Sequence, residues 1–239
     1  MAERRPRDEA REARNEVYRH HILEAAERVF AERGFEATRV QDISERAGLS
    51  MGVIYGIFPG KGELYAALLE THGQELLRLA REVAGRGVAP RAALSALIEL
   101  YVGYFVSHPE FLRMHLRSGA SWALGPALAG ASNVGYWEEI HALQADIFRR
   151  GVASGDFAPE DPAFLAKTFT VMDQVLLSEW VATGMQASRE ALVRRLATIA
   201  ERAFCARPER AAPAPGPRPT AAPAPASPQP RSRARRRTG

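Results

Sequence analysis

The sequence predicts an all-α fold, and three observations predict it. Apolar residues recur at spacings of three and four through most of the chain between its two ends, the period of helices that each bury one stripe. No stretch of useful length alternates apolar with polar residues, as a half-buried strand would. Prolines and glycines fall between the periodic segments, where helices start and stop.

The elements follow in order. Residues 1–15 are charged and read as a flexible arm, although EAREARNE could extend the first helix. Ile22, Leu23, Ala26, Val29 and Phe30 form the stripe of that helix, and Gly34 ends it as a left-handed cap would. Val40, Ile43 and Ala47 mark a short second helix, with Thr38 two residues ahead as a candidate N-cap. Ser50 caps a third, with Ile54 and Phe58 facing inward and Pro59-Gly60 stopping it. A long fourth helix runs from about Lys61 to Val83. Pro90 opens RAALSALIELYVGYFVS and Pro109 opens EFLRMHLRSG. Residues 119–132 are rich in Gly, Ala and Ser and carry no clear period. VGYWEEIHALQADIFRRGV is a further helix, SGDFAPEDP a loop, and two helices close the body at about 161–183 and 188–205.

The bulk numbers bound the function. A chain of 239 residues, 46% apolar, holds one sizeable core or a small domain beside a larger one. No apolar run approaches the roughly 20 residues that span a bilayer, and no apolar block follows the charged start, so neither a membrane span nor a secretion signal is expected. The single cysteine, Cys205, excludes an intrachain disulfide and suits a reducing cytoplasm. The net charge of +4 is uneven: residues 207–239 hold eight arginines against one acid, net +7, which leaves net −3 for the rest. The basic balance thus belongs to the tail and gives no sign that the body binds nucleic acid. Within the tail, residues 211–230 contain eight prolines and seven alanines, too little apolar surface to offset ordering, so the tail reads as disordered.

Residues 38–58 read short helix, tight turn, short helix. Gly48 sits where positive φ is wanted, Leu49 plugs inward, Ser50 starts the next helix, and small Ser44 lets the two helices cross closely. These are the requirements of a helix-turn-helix, whose second helix enters the DNA major groove. On this pattern alone, an ordinary helical hairpin remains the alternative.

The wider stretch, residues 22–70, resembles the N-terminal domain of the tetracycline-repressor (TetR) family. The matching residues are the Ile-x3-Ala of the first helix, Phe30, Gly34-Phe35, Thr38, Asp42-Ile43, Ala47-Gly48-Leu49-Ser50, Gly52, Ile54-Tyr55, Phe58, Lys61 and Leu64. They occur in order and without gaps. The resemblance implies a three-helix DNA-binding domain over 16–76 and a helical effector-binding and dimerisation domain over 77–206, followed by the tail over 207–239. It implies a homodimeric, ligand-responsive transcription regulator, usually a repressor, that binds a palindromic double-stranded operator and is released by a small molecule. No cofactor, metal or catalytic residue is implied.

Residue roles carry over where the pattern matches. Thr38 and Lys61 look like phosphate contacts. Arg39 stands where Thr or Ser is common and could reach a phosphate. Gln41 lies one residue beyond Val40 and could touch backbone or a base edge. Tyr55 matches a near-constant tyrosine and faces phosphate or a thymine methyl. Ser50 is a cap. Met51, Val53 and Ile57 depart from the polar residues common at those places and offer only apolar contacts. Gly52 and Gly56 let the backbone come close, at a cost of roughly 1 kcal/mol each against alanine. With so few hydrogen-bonding side chains on the third helix, recognition is expected to rest on shape, methyl groups and phosphates.

In the body, Tyr101, Tyr104, Phe105, Met114, His115, Trp122, Trp137 and Phe148 could line an apolar effector pocket; plain core is the blander alternative. The last two helices are apolar over more than one face, which requires burial on both sides. Phe169, Met172, Leu176, Trp180, Leu192, Leu196, Ile199 and Ala203 are the candidate residues of an isologous four-helix dimer interface. Enzyme readings lack support: the six histidines show no metal-ligand spacing, and Cys205 is far in sequence from any of them. A second reading, a helical sensing or protein-interaction module without operator specificity, draws on the apolar third helix. The arginine tail could add non-specific phosphate contacts in either case.

Overall fold

The structure, a computed structural model, describes residues 6–119, 121–122 and 135–206. Among the described residues it holds nine helices and no strand. They are α1 (Pro6–Ala37), α2 (Val40–Ala47), α3 (Met51–Ile57), α4 (Lys61–Ala84), α5 (Pro90–Ser107), α6 (Pro109–Arg117), α7 (Gly135–Ser154), α8 (Pro162–Ala182) and α9 (Arg189–Phe204). The expected tail and most of the Gly/Ala/Ser-rich stretch lie outside the described residues.

Two local expectations change. The segment read as an arm is helical from Pro6 onward. Its Glu, Arg and Ala residues are strong helix formers, and proline suits a first-turn position. The N-cap of α2 is Arg39, not Thr38. The Asp42 carboxylate takes the Arg39 backbone N–H at 2.9 Å, and Arg33 of α1 grips the same carboxylate at 2.6 Å. Thr38 turns back instead: its hydroxyl donates to the Gly34 carbonyl at 2.7 Å. Gly34 itself has φ 77° and ψ 169°, so the regular run of α1 breaks there before one last turn.

The α2–α3 turn forms as the sequence requires. Gly48 adopts φ 62°, ψ 28°. Its N–H donates to the Glu45 carbonyl at 3.3 Å, and the Leu49 N–H donates to Ser44 at 3.2 Å, the paired bonds of a Schellman ending. Ser44 does more than leave space, because its hydroxyl donates to the Leu49 carbonyl at 2.5 Å. The Ser50 hydroxyl accepts from the Val53 N–H at 3.4 Å and starts α3.

One cluster of buried side chains runs from Ile22 of α1 to Phe204 of α9. α4 leaves the α1–α3 head and continues into the body, packing on α1, α5 and α7. The expected domain boundary near residue 76 falls inside this helix. α4 and α7 can approach because residue 73 lacks a side chain: a Cβ on Gly73 would lie 2.3 Å from the Tyr136 ring. α1 also packs on α6, so the head rests on the body through two helices. His72 of α4 marks this junction. Its ring stacks on Phe111 at 3.8 Å and its Nδ1 lies 2.7 Å from the Tyr104 hydroxyl.

α8 and α9 have two apolar sides. Phe169, Leu176, Leu177 and Trp180 of α8, and Leu192, Leu196, Ala200 and Phe204 of α9, are buried in the protomer's own core. On the other side Phe164 and Val175 are 59% and 61% exposed, with Val171 and Ile199 exposed beside them.

Candidate DNA-binding face and buried polar centre

The head presents α3 outward. Ile54 and Phe58 are buried anchors, and Arg19 lies over the Phe58 ring at 4.8 Å. This turns Tyr55, 51% exposed, and both glycines of α3 toward solvent. Met51, Val53 and Ile57 are half-buried, and Ile57 packs on the core. A Cβ on Gly56 would meet nothing within 4 Å, and one on Gly52 only the Ser50 hydroxyl at 3.9 Å. Nothing among the described residues therefore requires a glycine at either place.

The α2 side is mixed. Arg39 and Gln41 are exposed, and the Gln41 amide donates to Glu45 at 3.0 Å. Thr38 is buried, with its hydroxyl hydrogen committed to Gly34. The Lys61 ammonium donates to the Phe35 and Glu36 carbonyls at 2.7 and 3.3 Å and lies 4.3 Å from the Phe35 ring centroid. It caps the end of α1, a place where a cation is favoured. Backbone hydrogen bonding to Arg39, helped by Arg33, holds the Asp42 carboxyl below its usual range, so the clasp between α1 and α2 stays charged. Arg46 and Glu32 form a second α1–α2 ion pair at 2.6 Å.

In the body the expected pocket residues do come together, as packed aromatics. Phe105 stacks on Trp122 at 4.6 Å, and His115 lies 5.3 Å from Trp122 and 5.9 Å from Trp137. Tyr101, Tyr104 and Met114 are buried too. An open groove of about 480 Å³ lies elsewhere, edged by Glu75, Glu82, Arg86, Glu99, His108 and Arg189, and among the expected residues only Tyr104 borders it.

Sequence reasoning missed the polar residues threaded through these aromatics. The Gln144 amide donates to the Tyr101 hydroxyl at 3.1 Å, and its oxygen accepts from the buried Thr170 hydroxyl at 3.1 Å. One turn along α8 lies Asp173, 3% exposed, with Oδ1 unpartnered. Burial pushes its carboxyl up to about 7. Among the described residues His115 Nδ1 and Trp122 Nε1 are also buried without a partner, and burial pulls the His115 imidazole down to about 4. An acid at the middle of the apolar run of α8, one of two acids in that helix with Glu179, is the signal the sequence offers.

The expected interface residues divide. Phe169, Leu176, Trp180, Leu192 and Leu196 point into the protomer, whereas Met172 is half-buried and Ile199 and Ala203 are exposed. A helix apolar all round hides which stripe faces inward, so the sequence reading draws residues from both. The outer stripe consists of Phe164, Val171, Met172, Val175 and Ile199.

An exposed second helix across a Schellman turn defines a helix-turn-helix regulator, and the comparisons with known proteins agree. Residues 22–68 match the bacterial regulatory proteins of the tetR family. The chain is 30% identical over 161 residues, 65% of its length and 76% of the relative's, to the HTH-type transcriptional regulator YfiR of Bacillus subtilis (strain 168). It is 29% identical over 174 residues, 73% of its length and 83% of the relative's, to the HTH-type transcriptional repressor SCO4008 of Streptomyces coelicolor. It superposes on the TetR family regulator PfmR of Thermus thermophilus with TM-score 0.65 and 25% identity, over 76% of this chain and 97% of that one. Against three other curated regulators the chain spans 34%, 44% and 35% of their lengths. The chain belongs to the TetR family.

Proposed function

We propose that the protein is a ligand-responsive, sequence-specific DNA-binding regulator that acts as a repressor. Two copies, joined through the outer faces of α8 and α9, would set two α3 helices into successive major grooves of a palindromic operator. A small molecule bound in the body would change their spacing and release the DNA. The observation that carries this reading is α3 itself. Its outward side is Tyr55 and two glycines whose Cβ positions are open, a surface shaped for close backbone approach. The repressor assignment draws support from the Streptomyces relative.

Binding to the promoter of the neighbouring operon, measured by gel shift, tests it. Tyr55→Phe removes only an exposed hydroxyl and is expected to weaken binding without loss of fold. Lys61→Ala should weaken binding and also loosen the end of α1. Unchanged affinity in both variants overturns the assigned roles.

One observation favours a second reading, a sensing or interaction module without an operator: α3 carries no charged side chain. Selection on random duplex DNA separates the two, since an enriched palindrome is expected only for the regulator. Removing residues 207–239 tests the tail's share of affinity through the salt dependence of binding, which flattens if its arginines contact phosphates.

A further inference from the structure

We propose that the groove between α4 and α5 receives the body's effector, and that this effector is a carboxylate amphiphile whose charge seats on the Arg189 guanidinium. The inference rests on the reading of the protein as an effector-responsive regulator and gives that effector a place and a chemistry.

The aromatic side chains expected to line a pocket pack on one another instead. The groove offers about 480 Å³, within the range of small-molecule sites. Leu79 and Val83 of α4 and Ala96 and Leu100 of α5 line it. These four are buried or half-buried, whereas Glu82, Arg86, Glu99 and Arg189 are exposed at its rim.

One cation of the rim is held in place. A Cβ on Gly103 would lie 2.7 Å from Arg189 Nη2 and 2.8 Å from the guanidinium carbon. The guanidinium of α9 thus rests on the backbone of α5, where Nη2 donates to the Glu99 carbonyl at 3.4 Å. Among the described residues that is the only hydrogen bond of this side chain, and it forms no ion pair. A guanidinium carries five N–H donors, so most are unspent. Nearby acids are engaged elsewhere. Glu75 and Glu82 both pair with Arg78, and Glu190 is held by Ser188 and by backbone. Among the described residues the unpaired charges of the lining are Arg86 and Arg189 against Glu99, an excess of one cation.

Those features define the ligand. A fixed, planar guanidinium with free N–H groups suits a carboxylate. An excess of one cation suits a single negative charge, and the apolar lining takes hydrocarbon beside it. A cationic amphiphile would meet two unpaired guanidinium groups and is disfavoured. The groove also reaches the head. Tyr104 and His108 border it, with their rings stacked at 4.3 Å. The Tyr104 hydroxyl lies 2.7 Å from His72 Nδ1, and His72 Nε2 lies 3.5 Å from Glu27 of α1. An occupant that shifts Tyr104 therefore acts on α1 through His72.

Isothermal titration calorimetry of the full chain at pH 8 with 4-phenylbutyrate, 4-phenylbutanol and 4-phenylbutylamine tests this, since the three share one apolar body. The carboxylate is expected to bind at least tenfold more tightly than the other two. Arg189→Gln should remove that preference and leave alcohol binding within twofold. Gly103→Ala keeps the arginine but pushes its guanidinium off α5, so the preference should shrink at least threefold with an unchanged circular dichroism spectrum. Equal affinities in the wild type, or a preference undiminished in either variant, overturn the proposal. His72→Phe keeps a ring against Phe111 and loses both polar contacts. Carboxylate affinity should hold within twofold there, while the carboxylate no longer weakens operator binding; release that persists overturns the route through His72. Operator selection reads the regulator assignment separately. A palindrome with no carboxylate preference sinks this inference alone. A carboxylate preference with no palindrome sinks the regulator reading and leaves the site standing.

Discussion

Gly56 shows how a single residue can separate folding from function. A Cβ there meets nothing within 4 Å, and the residue is helical, so alanine should stabilise α3 by about 0.5–1 kcal/mol. A protein selected for stability alone would gain from that change. If the backbone approaches DNA at this point, the same methyl group obstructs it. Gly56→Ala is therefore expected to raise the midpoint of urea unfolding and to lower operator affinity at least tenfold. Improved stability with unchanged affinity would show that the backbone of α3 stays clear of the duplex. Val53 gives a complementary test: Val53→Thr keeps the shape and adds a hydroxyl, so sequence preference should shift while the fold stands. Lys61 is less simple, because its ammonium already holds two carbonyls of α1 and any loss of binding mixes two causes. Its role in ending α1 is not legible in the sequence. The Phe35 carbonyl that it reaches is 26 positions away, and no local pattern marks it.

At the scale of elements, legibility follows the range of the interactions that decide each feature. The α2–α3 unit can be read because its determinants are local: Gly48, Leu49 and Ser50 fix the turn, and their partners lie within five residues. The start of α1 can be read two ways, since its charged composition suggests an arm while EAREARNE could extend the first helix, and the helix propensity of the same residues prevails. The two sides of α8 are indistinguishable in sequence, since both are apolar, and only packing against α5, α7 and α9 chooses between them. The outer side then becomes the natural place for a second copy, with Phe164, Val171 and Val175 at helical spacing and Ile199 alongside. Val175→Glu puts a charge at the middle of that stripe and touches nothing in the protomer's core. Sedimentation is expected to show dimers for the wild type and monomers for the variant at micromolar concentration, with an unchanged circular dichroism spectrum. A variant that still sediments as a dimer would place the interface elsewhere.

For the whole molecule, the orphaned polar groups of the body govern the response to acid. The Asp173 carboxyl, near 7 when folded, lies above its ordinary value of 3.8. The folded state keeps a proton that the unfolded chain releases, so stability falls as pH rises from about 4 to about 7. The His115 imidazole, near 4 when folded, lies below its ordinary 6.5. Here the unfolded chain takes up the proton first, so stability falls as pH drops from about 6.5 to about 4. Each slope is about 1.4 kcal/mol per pH unit, and the two have opposite signs over nearly the same interval. Urea midpoints of the wild type should therefore vary with pH less than either slope alone between about pH 4.5 and 6.5, with the His141 imidazole, which burial also lowers, adding to the His115 side. Asp173→Asn should make them climb with pH, and His115→Phe should make them decline. Coincident profiles in all three proteins would show that neither group titrates abnormally. The acid and the base thus form a proton counterweight: the base alone would leave the fold weakened by mild acid, the acid alone would leave it weakened as pH rises, and together they oppose each other.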